Sequence, residues 1–165
     1  MSRAPRRHRP LWTLLATAVV ALSAAACTKE PTVVATLSHD DAEAIVRNHA
    51  DEVLTLTGWA GFSKGTVLPV PCSRSDGSPS DTAYRASGSF QLIVPLEQQR
   101  DVVERLAQGW SRLGYTVSPV TYLPSGGAQV TAVTTDEFFV DMTLGSGQPP
   151  AMALIIVTAC YSLAS

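Results

Sequence analysis

Residues 84–114 read YRASGSFQLIVPLEQQRDVVERLAQGWSRLG, and their hydrophobic period changes at Pro95. Before the proline, from Tyr84 to Val94, apolar and polar side chains alternate, which is the period of a half-buried strand. After it, from Leu96 to Leu113, apolar residues recur every three to four positions, which is the period of an amphipathic helix. Gly114 then predicts the helix end, because glycine takes the left-handed conformation there. This stretch predicts a strand followed by a helix that packs on the same core.

A second helix is predicted upstream, over about 18 residues between Ser38 and Gly58. Ser38 is a typical N-cap residue, and Asp40, Asp41 and Glu43 place negative charge in the first turn, where the helix dipole favours it. Gly58 predicts the end of this helix. Its apolar stripe consists of Ala42, Ile45, Val46, His49, Val53 and Leu56.

The other segments read as strands with short connections between them. The candidates are Lys64 to Val70, Tyr115 to Tyr122, Ala128 to Thr134, Phe138 to Leu144 and Ala151 to Tyr161. The last is apolar on both faces and is expected either in the sheet centre or covered on both sides. Because short connections favour antiparallel pairing, we expect an α+β fold in the order α-β-β-α-β-β-β-β. Its mostly antiparallel sheet of five to six strands would carry both helices on one face.

The N-terminus has the pattern of a secretory signal peptide over residues 1–26. Four arginines, Arg3, Arg6, Arg7 and Arg9, precede the uncharged run from Leu11 to Ala26. A basic start, a short apolar run and a small-residue end are typical of a cleaved export signal. A spanning helix needs about 20 apolar residues, and this run is shorter.

The end of that run, Ala24-Ala25-Ala26-Cys27, resembles the bacterial lipobox. In that motif the cysteine thiol receives a diacylglyceryl group and the preceding peptide is removed. The motif most often has Leu where this chain has Ala24. The alternative is ordinary cleavage after Ala26, which would leave Cys27 as a free thiol. We expect lipidation of Cys27, a tether over residues 27–37 and one domain over residues 38–165, anchored outside the cytoplasm to the cell membrane.

Charge and cysteine count restrict the partners. Removing residues 1–26 takes away four of the 12 basic residues and none of the 14 acidic ones, which leaves a net charge of −6. Such a chain lacks the basic surface that nucleic acid requires. With Cys27 assigned to lipid, Cys72 and Cys160 remain, and in an oxidising compartment they are expected to form a disulfide. Metal binding by two thiols is the less favoured alternative, because neither lies in a CxxC pattern.

The order of elements resembles the LppA-like small lipoproteins of mycobacteria and related actinobacteria. The residues that carry the resemblance are Cys27, Cys72, the helix Leu96 to Leu113, Gly114-Tyr115 and Thr158-Ala159-Cys160. It implies a fold and a compartment over most of the mature chain. That family has no assigned biochemical function, so the resemblance implies no reaction.

We find no motif of a catalytic or metal site, and we expect neither an enzyme nor a cofactor. His39 and His49 are ten residues apart, or about 280° around a helix, and so do not converge. The chain has no G-x-S-x-G or S-x-x-K pattern for a serine nucleophile. Trp59 and Phe62 follow the first helix in a glycine-containing loop. They could form a recognition loop or a tip that dips into the membrane, or they could simply cover the core.

The sequence therefore favours a non-enzymatic binding or interaction module of the cell envelope. Its partner would be a protein, a lipid or a glycan. One alternative is a small-ligand carrier for a lipid or glycan, with a pocket between the sheet and the helices. A further alternative is a hydrolase whose site has no recognised motif.

Overall fold

The structure is a computed structural model that describes residues 30–135, 138, 140–146 and 150–164. Over these residues the chain forms two helices and nine strands. They are β1 (Ala35–Leu37), α1 (His39–Thr57), β2 (Lys64–Ser73), β3 (Pro79–Ile93), α2 (Leu96–Arg112), β4 (Thr116–Val117), β5 (Thr121–Tyr122), β6 (Ala128–Val133), β7 (Asp141–Ser146), β8 (Ala151–Val157) and β9 (Tyr161–Leu163).

The long strand β3 organises the sheet. One edge of β3 pairs with β2, and its other edge pairs first with β9 and then with β8. Beyond β8 follow β7 and β6, and the short strands β4 and β5 both pair with β6. All these pairs are antiparallel, whereas β1 pairs in parallel with β9. The α+β class is confirmed, but the sheet is mixed and has more strands than the five to six predicted.

The additional strands have local causes. Residues 35–37, which the sequence analysis assigns to a tether, pair with β9. The predicted last strand is divided because the Thr158 hydroxyl accepts a hydrogen bond from the Ala86 amide at 3.0 Å, in place of a ladder carbonyl. The predicted strand from Tyr115 to Tyr122 is likewise divided into β4 and β5.

Strand β2 continues through two prolines at which the sequence predicts an end. Pro69 pairs with Ala86 and Pro71 with Tyr84, although proline has no amide hydrogen to donate. This is possible because β2 pairs on one side with β3, and a proline on an edge strand can direct its missing donor toward solvent. Cys72 therefore lies within β2, and not in the loop after it.

Both helices begin and end close to the predicted residues. The Ser38 hydroxyl accepts a hydrogen bond from the Asp41 amide at 3.0 Å, and Gly58 ends α1 with a φ of 72°. Gly114, just after α2, has a φ of 84°. The buried sides of both helices join the inner side of the sheet in one hydrophobic core. Its largest fully buried side chain is Trp110 on α2. No helix of the described residues is long and apolar enough to span a membrane.

Candidate functional site

The side of the sheet opposite the helices is a broad surface, which we call the open face. It is defined by the outward residues of β2, β3, β8, β7 and β6. They are Lys64, Thr66, Leu68, Arg85, Ser87, Ser89, Gln91, Ile93, Ala153, Ile155, Val157, Thr143, Gly145, Gln129 and Thr131. Strand registers align Thr66, Ser89, Ile155, Thr143 and Thr131 in one row across five strands.

Three aliphatic side chains of the open face are exposed. Leu68 on β2 is 58% exposed, Ile93 at the end of β3 is 47% exposed, and Ile155 on the central strand β8 is 39% exposed. The neighbours of Ile155 across the strands are Ser89 and Thr143. With Ala153 and Val157, which lie on the same side of β8, Ile155 forms an apolar stripe in the middle of the sheet. Contiguous exposed apolar surface is a feature of surfaces that another molecule covers.

The other described side chains of the open face are mostly polar, and few of them are charged. The hydroxyls of Thr131 and Thr143 lie 2.9 Å apart and share a hydrogen bond. Among the described side chains of the face, Lys64 and Arg85 carry charge. A shallow depression of about 390 Å³ lies where β2 and β8 begin and β3 ends, bordered by Thr66, Ser89, Gln91 and Ala153 among others.

Two cysteines lie within the described residues, one on a strand and the other between two strands. The structure joins Cys72 on β2 to Cys160, which lies between β8 and β9, with the two Cα atoms 6.3 Å apart. Since β2 pairs with one edge of β3 and β9 with the other, the bond joins two segments that flank β3. It connects the edge strand β2 directly to the C-terminal part of the sheet.

An ion-pair cluster, which we call the Glu30 clamp, lies beside the turn between β2 and β3. Arg74 Nε donates to Glu30 Oε1 at 2.6 Å, and Ser80 Oγ donates to Glu30 Oε2 at 2.8 Å. Arg74 Nη2 also donates to Asp81 Oδ2 at 3.0 Å. The hydrogen bonds from Arg74 and then Ser80 lower the pKa of the Glu30 carboxyl. The bond to Glu30 is also the largest cause of the raised pKa of Arg74.

The two aromatic residues of the predicted recognition loop pack against the protein. Trp59 and Phe62 are both half-buried beside the core, and the centroid of the Phe62 ring lies 4.9 Å from that of Phe90. Both side chains therefore cover part of the core. A recognition role for them stays a prediction.

The two histidines lie in separate environments at different turns of α1. His39 Nδ1 lies 2.8 Å from the Tyr161 hydroxyl, whereas His49 Nδ1 lies 4.0 Å from a carboxylate oxygen of Glu52. The other oxygen of Glu52 accepts a hydrogen bond from the Tyr115 hydroxyl. Over the described residues, His, Cys, Asp and Glu form no group of three that could hold a metal.

Sequence reasoning missed both features that the structure adds here. Glu30 and Arg74 are 44 residues apart and belong to segments read as a tether and a loop, so only the fold reveals their contact. For the open face a signal exists, because the alternation in β3 already marks its outward side. Cys27, the predicted lipid site, lies outside the described residues.

The fold can be compared with one solved structure. It is similar to the crystal structure of LppA, a candidate lipoprotein from Mycobacterium tuberculosis, with a TM-score of 0.44 and 14% sequence identity. The match covers 74% of this chain and 78% of that chain. No family model matches this sequence, and no curated protein matches it. Membership of the LppA-like family, which the sequence predicts, stays a prediction.

Proposed function

We propose that this chain is an extracytoplasmic lipoprotein that is anchored through Cys27 and binds another envelope protein with its open face. The observation that carries the binding role is Ile155, which lies exposed on the central strand of the sheet. The proposed role is non-enzymatic.

The chemistry of the open face supports a protein partner over a small ligand. Protein interfaces combine an apolar centre with a polar rim and contain few charges in the centre. The open face has this arrangement, because Ile155 in its centre lies among Ser and Thr residues. The charged Lys64 lies on β2 and the charged Arg85 lies on β3. The described part of the face has no aromatic ring on which a sugar could stack.

A carrier role is less well supported. A carrier of the kind considered from the sequence would need a cavity between the sheet and the helices. That space is occupied by the side chains of the core, including Trp110, Leu106, Met142 and Leu154, all fully buried. A depression of about 570 Å³ beside α2 is bordered by Ala107, Arg112, Val117 and Pro119 among others and lies at the surface.

The anchor is supported by the N-terminal pattern and by cysteine pairing. Residues 1–26 have the features of an export signal, and Cys27 follows three small residues as in a lipobox. Because Cys72 and Cys160 pair with each other, Cys27 is the remaining cysteine of the chain. Two or three acyl chains on one residue suffice for stable membrane attachment, since each buried methylene contributes about 0.8 kcal/mol.

The anchor can be tested by Cys27→Ser in the full chain. We expect the wild type to enter the detergent phase on Triton X-114 partition and the variant to leave it or to keep its signal peptide. The double variant Cys72→Ser, Cys160→Ser is the matched control, and it should stay in the detergent phase. Partition of Cys27→Ser like the wild type would exclude the lipid anchor.

The binding role can be tested by placing a photo-crosslinking amino acid at Leu68 in cells. We expect one discrete heterologous adduct that disappears when Ile155→Lys is added. Leu113→Lys changes an aliphatic residue of similar exposure, 48%, just after α2, and should leave the adduct unchanged. An adduct of twice the chain mass, an adduct insensitive to Ile155→Lys, or no adduct would each contradict a protein partner at this face.

A further inference from the structure

We infer that the lipid surface itself faces one defined end of the domain, namely the β2–β3 turn with the Glu30 clamp, and that the opposite end points away from the membrane. This inference rests on the proposed lipid anchor at Cys27. It adds an orientation, which neither the lipobox nor the fold class implies, because a flexible tether would let the domain tumble.

The chain is held against the domain at Glu30, very close to the expected anchor at Cys27. Both carboxylate oxygens of Glu30 are bonded, one to Arg74 and the other to Ser80, within 2.8 Å. Arg74 is itself fixed on the turn, because it donates to the Pro79 carbonyl and to Asp81. Glu30 is three residues from Cys27, and three residues span about 11 Å at most. The lipid attachment therefore cannot be farther than this from the clamp.

The chain after Glu30 is also part of the fold. The Val34 amide donates to the Cys160 carbonyl at 2.9 Å, and Ala35–Leu37 pairs with β9. The hydroxyls of Thr36 and Ser162 lie 3.0 Å apart. The segment over residues 27–37, which the sequence predicts to be an 11-residue tether, therefore has little free length between the clamp and the sheet.

The length of β3 gives the direction. Strand β3 begins at Pro79 beside the clamp and reaches Gln91 after 12 residues, or about 40 Å of strand. The loop with Trp59 and Phe62 lies at that far end, because the Ser63 amide donates to the Gln91 carbonyl at 2.8 Å. The orientation therefore directs these rings away from the lipid, which argues against a membrane-dipping tip.

Charge does not favour this arrangement, so the covalent link must maintain it. The end near the clamp carries four exposed carboxylates, on Asp40, Asp41, Asp76 and Asp81. An anionic lipid surface would repel such a surface. We therefore expect the domain without its lipid to have no affinity for anionic vesicles.

The test is energy transfer from a label on the protein to a labelled membrane. The lipidated full chain is reconstituted in vesicles of phosphatidylethanolamine and phosphatidylglycerol that contain a rhodamine lipid. A donor dye is attached at Asp76→Cys, in the turn, or at Ile93→Cys, at the far end. Because the part of β3 from Pro79 to Ile93 alone spans about 45 Å, energy transfer should be at least roughly twofold greater from position 76.

A matched pair of variants isolates the clamp. Glu30→Ala frees the chain back to Val34, seven residues from Cys27, which is about 25 Å at most. This change should reduce the difference in energy transfer between positions 76 and 93. Glu43→Ala removes a comparable ion pair, the one between Glu43 and Arg47 on α1, and should leave the difference in energy transfer unchanged.

The outcomes separate the two proposals. Equal transfer from positions 76 and 93 in protein that is bound to vesicles would overturn the orientation and leave the anchor intact. An unchanged difference in Glu30→Ala would overturn the role of the clamp. Protein that does not associate with vesicles would overturn the lipid anchor, and the orientation with it.

Discussion

Gly88 on β3 lies directly beneath Val46 of α1. A Cβ atom added at Gly88 would lie 2.5 Å from Val46 Cγ1 and 2.7 Å from Phe90 Cε2. Helix α1 therefore approaches the sheet as closely as it does because position 88 has no side chain. This contact sets the distance between the helix layer and the sheet over the middle of the domain.

Gly88→Ala should destabilise the domain by about 1–3 kcal/mol, the usual cost of inserting a methyl group into a packed core. The measurement is the free energy of unfolding in urea. Gly61→Ala is the matched control, because nothing lies within 4 Å of a Cβ at that position. Adding Val46→Ala should recover part of the loss. A Gly88→Ala protein as stable as Gly61→Ala would contradict the close approach.

The sequence predicts the helices well because their patterns are local. The Ser38 cap, the stripe of α2 and the glycines after each helix all act within a few residues. It predicts the strands less well, because pairing depends on distant residues. No pattern in Ala35–Leu37 indicates that this segment pairs with β9. The two prolines within β2 predict the end of a strand, but the pairing with β3 continues through them.

Some features of the candidate site are likewise predictable from the sequence and others are not. The pairing of Cys72 with Cys160 follows from counting cysteines in an exported chain. The Glu30 clamp depends on the β2–β3 turn bringing Arg74 and Ser80 together, which a linear pattern does not encode. The pairing of the predicted tether with the sheet has the same cause, because the Val34 amide donates to the Cys160 carbonyl far along the chain.

Trp110→Ala should lower the free energy of unfolding by about 3–5 kcal/mol, because it removes the largest fully buried side chain of the core. The measurement is chemical denaturation of the chain that begins at residue 28. Leu113→Ala, just beyond the end of the same helix, changes a side chain that is 48% exposed and should cost far less. Similar losses for the two variants would show that Trp110 does not support the core.

The disulfide should be structural. In exported protein, thiol-reactive reagents should label neither Cys72 nor Cys160 before reduction. Replacing both by Ser should destabilise the domain by about 4.5 kcal/mol at most, since the bond closes 88 positions. Labelling of both thiols in exported, unreduced protein would contradict the bond.

The Glu30 clamp should open in acid. Bonding to Arg74 and Ser80 lowers the folded-state pKa of Glu30, so the clamp stabilises the fold at pH above the ordinary carboxyl pKa. That contribution is lost as the pH falls through the lowered pKa, where the carboxylate becomes protonated and Arg74 loses its partner. The hydrogen bonds from Ser78 lower the pKa of Asp76 in the same turn, so the titration of Asp76 will overlap that of Glu30 and broaden the transition.

The measurement is an NMR titration of the Glu30 carboxyl carbon in the soluble domain that begins at residue 28. We expect the pKa of Glu30 to rise toward its ordinary value in Arg74→Ala, because the largest cause of its depression is removed. Arg47→Ala, which removes the partner of Glu43 on α1, should leave the titration of Glu30 unchanged. A Glu30 pKa that is the same with and without Arg74 would show that the clamp does not form in solution, and the domain would then lack a fixed orientation on the membrane.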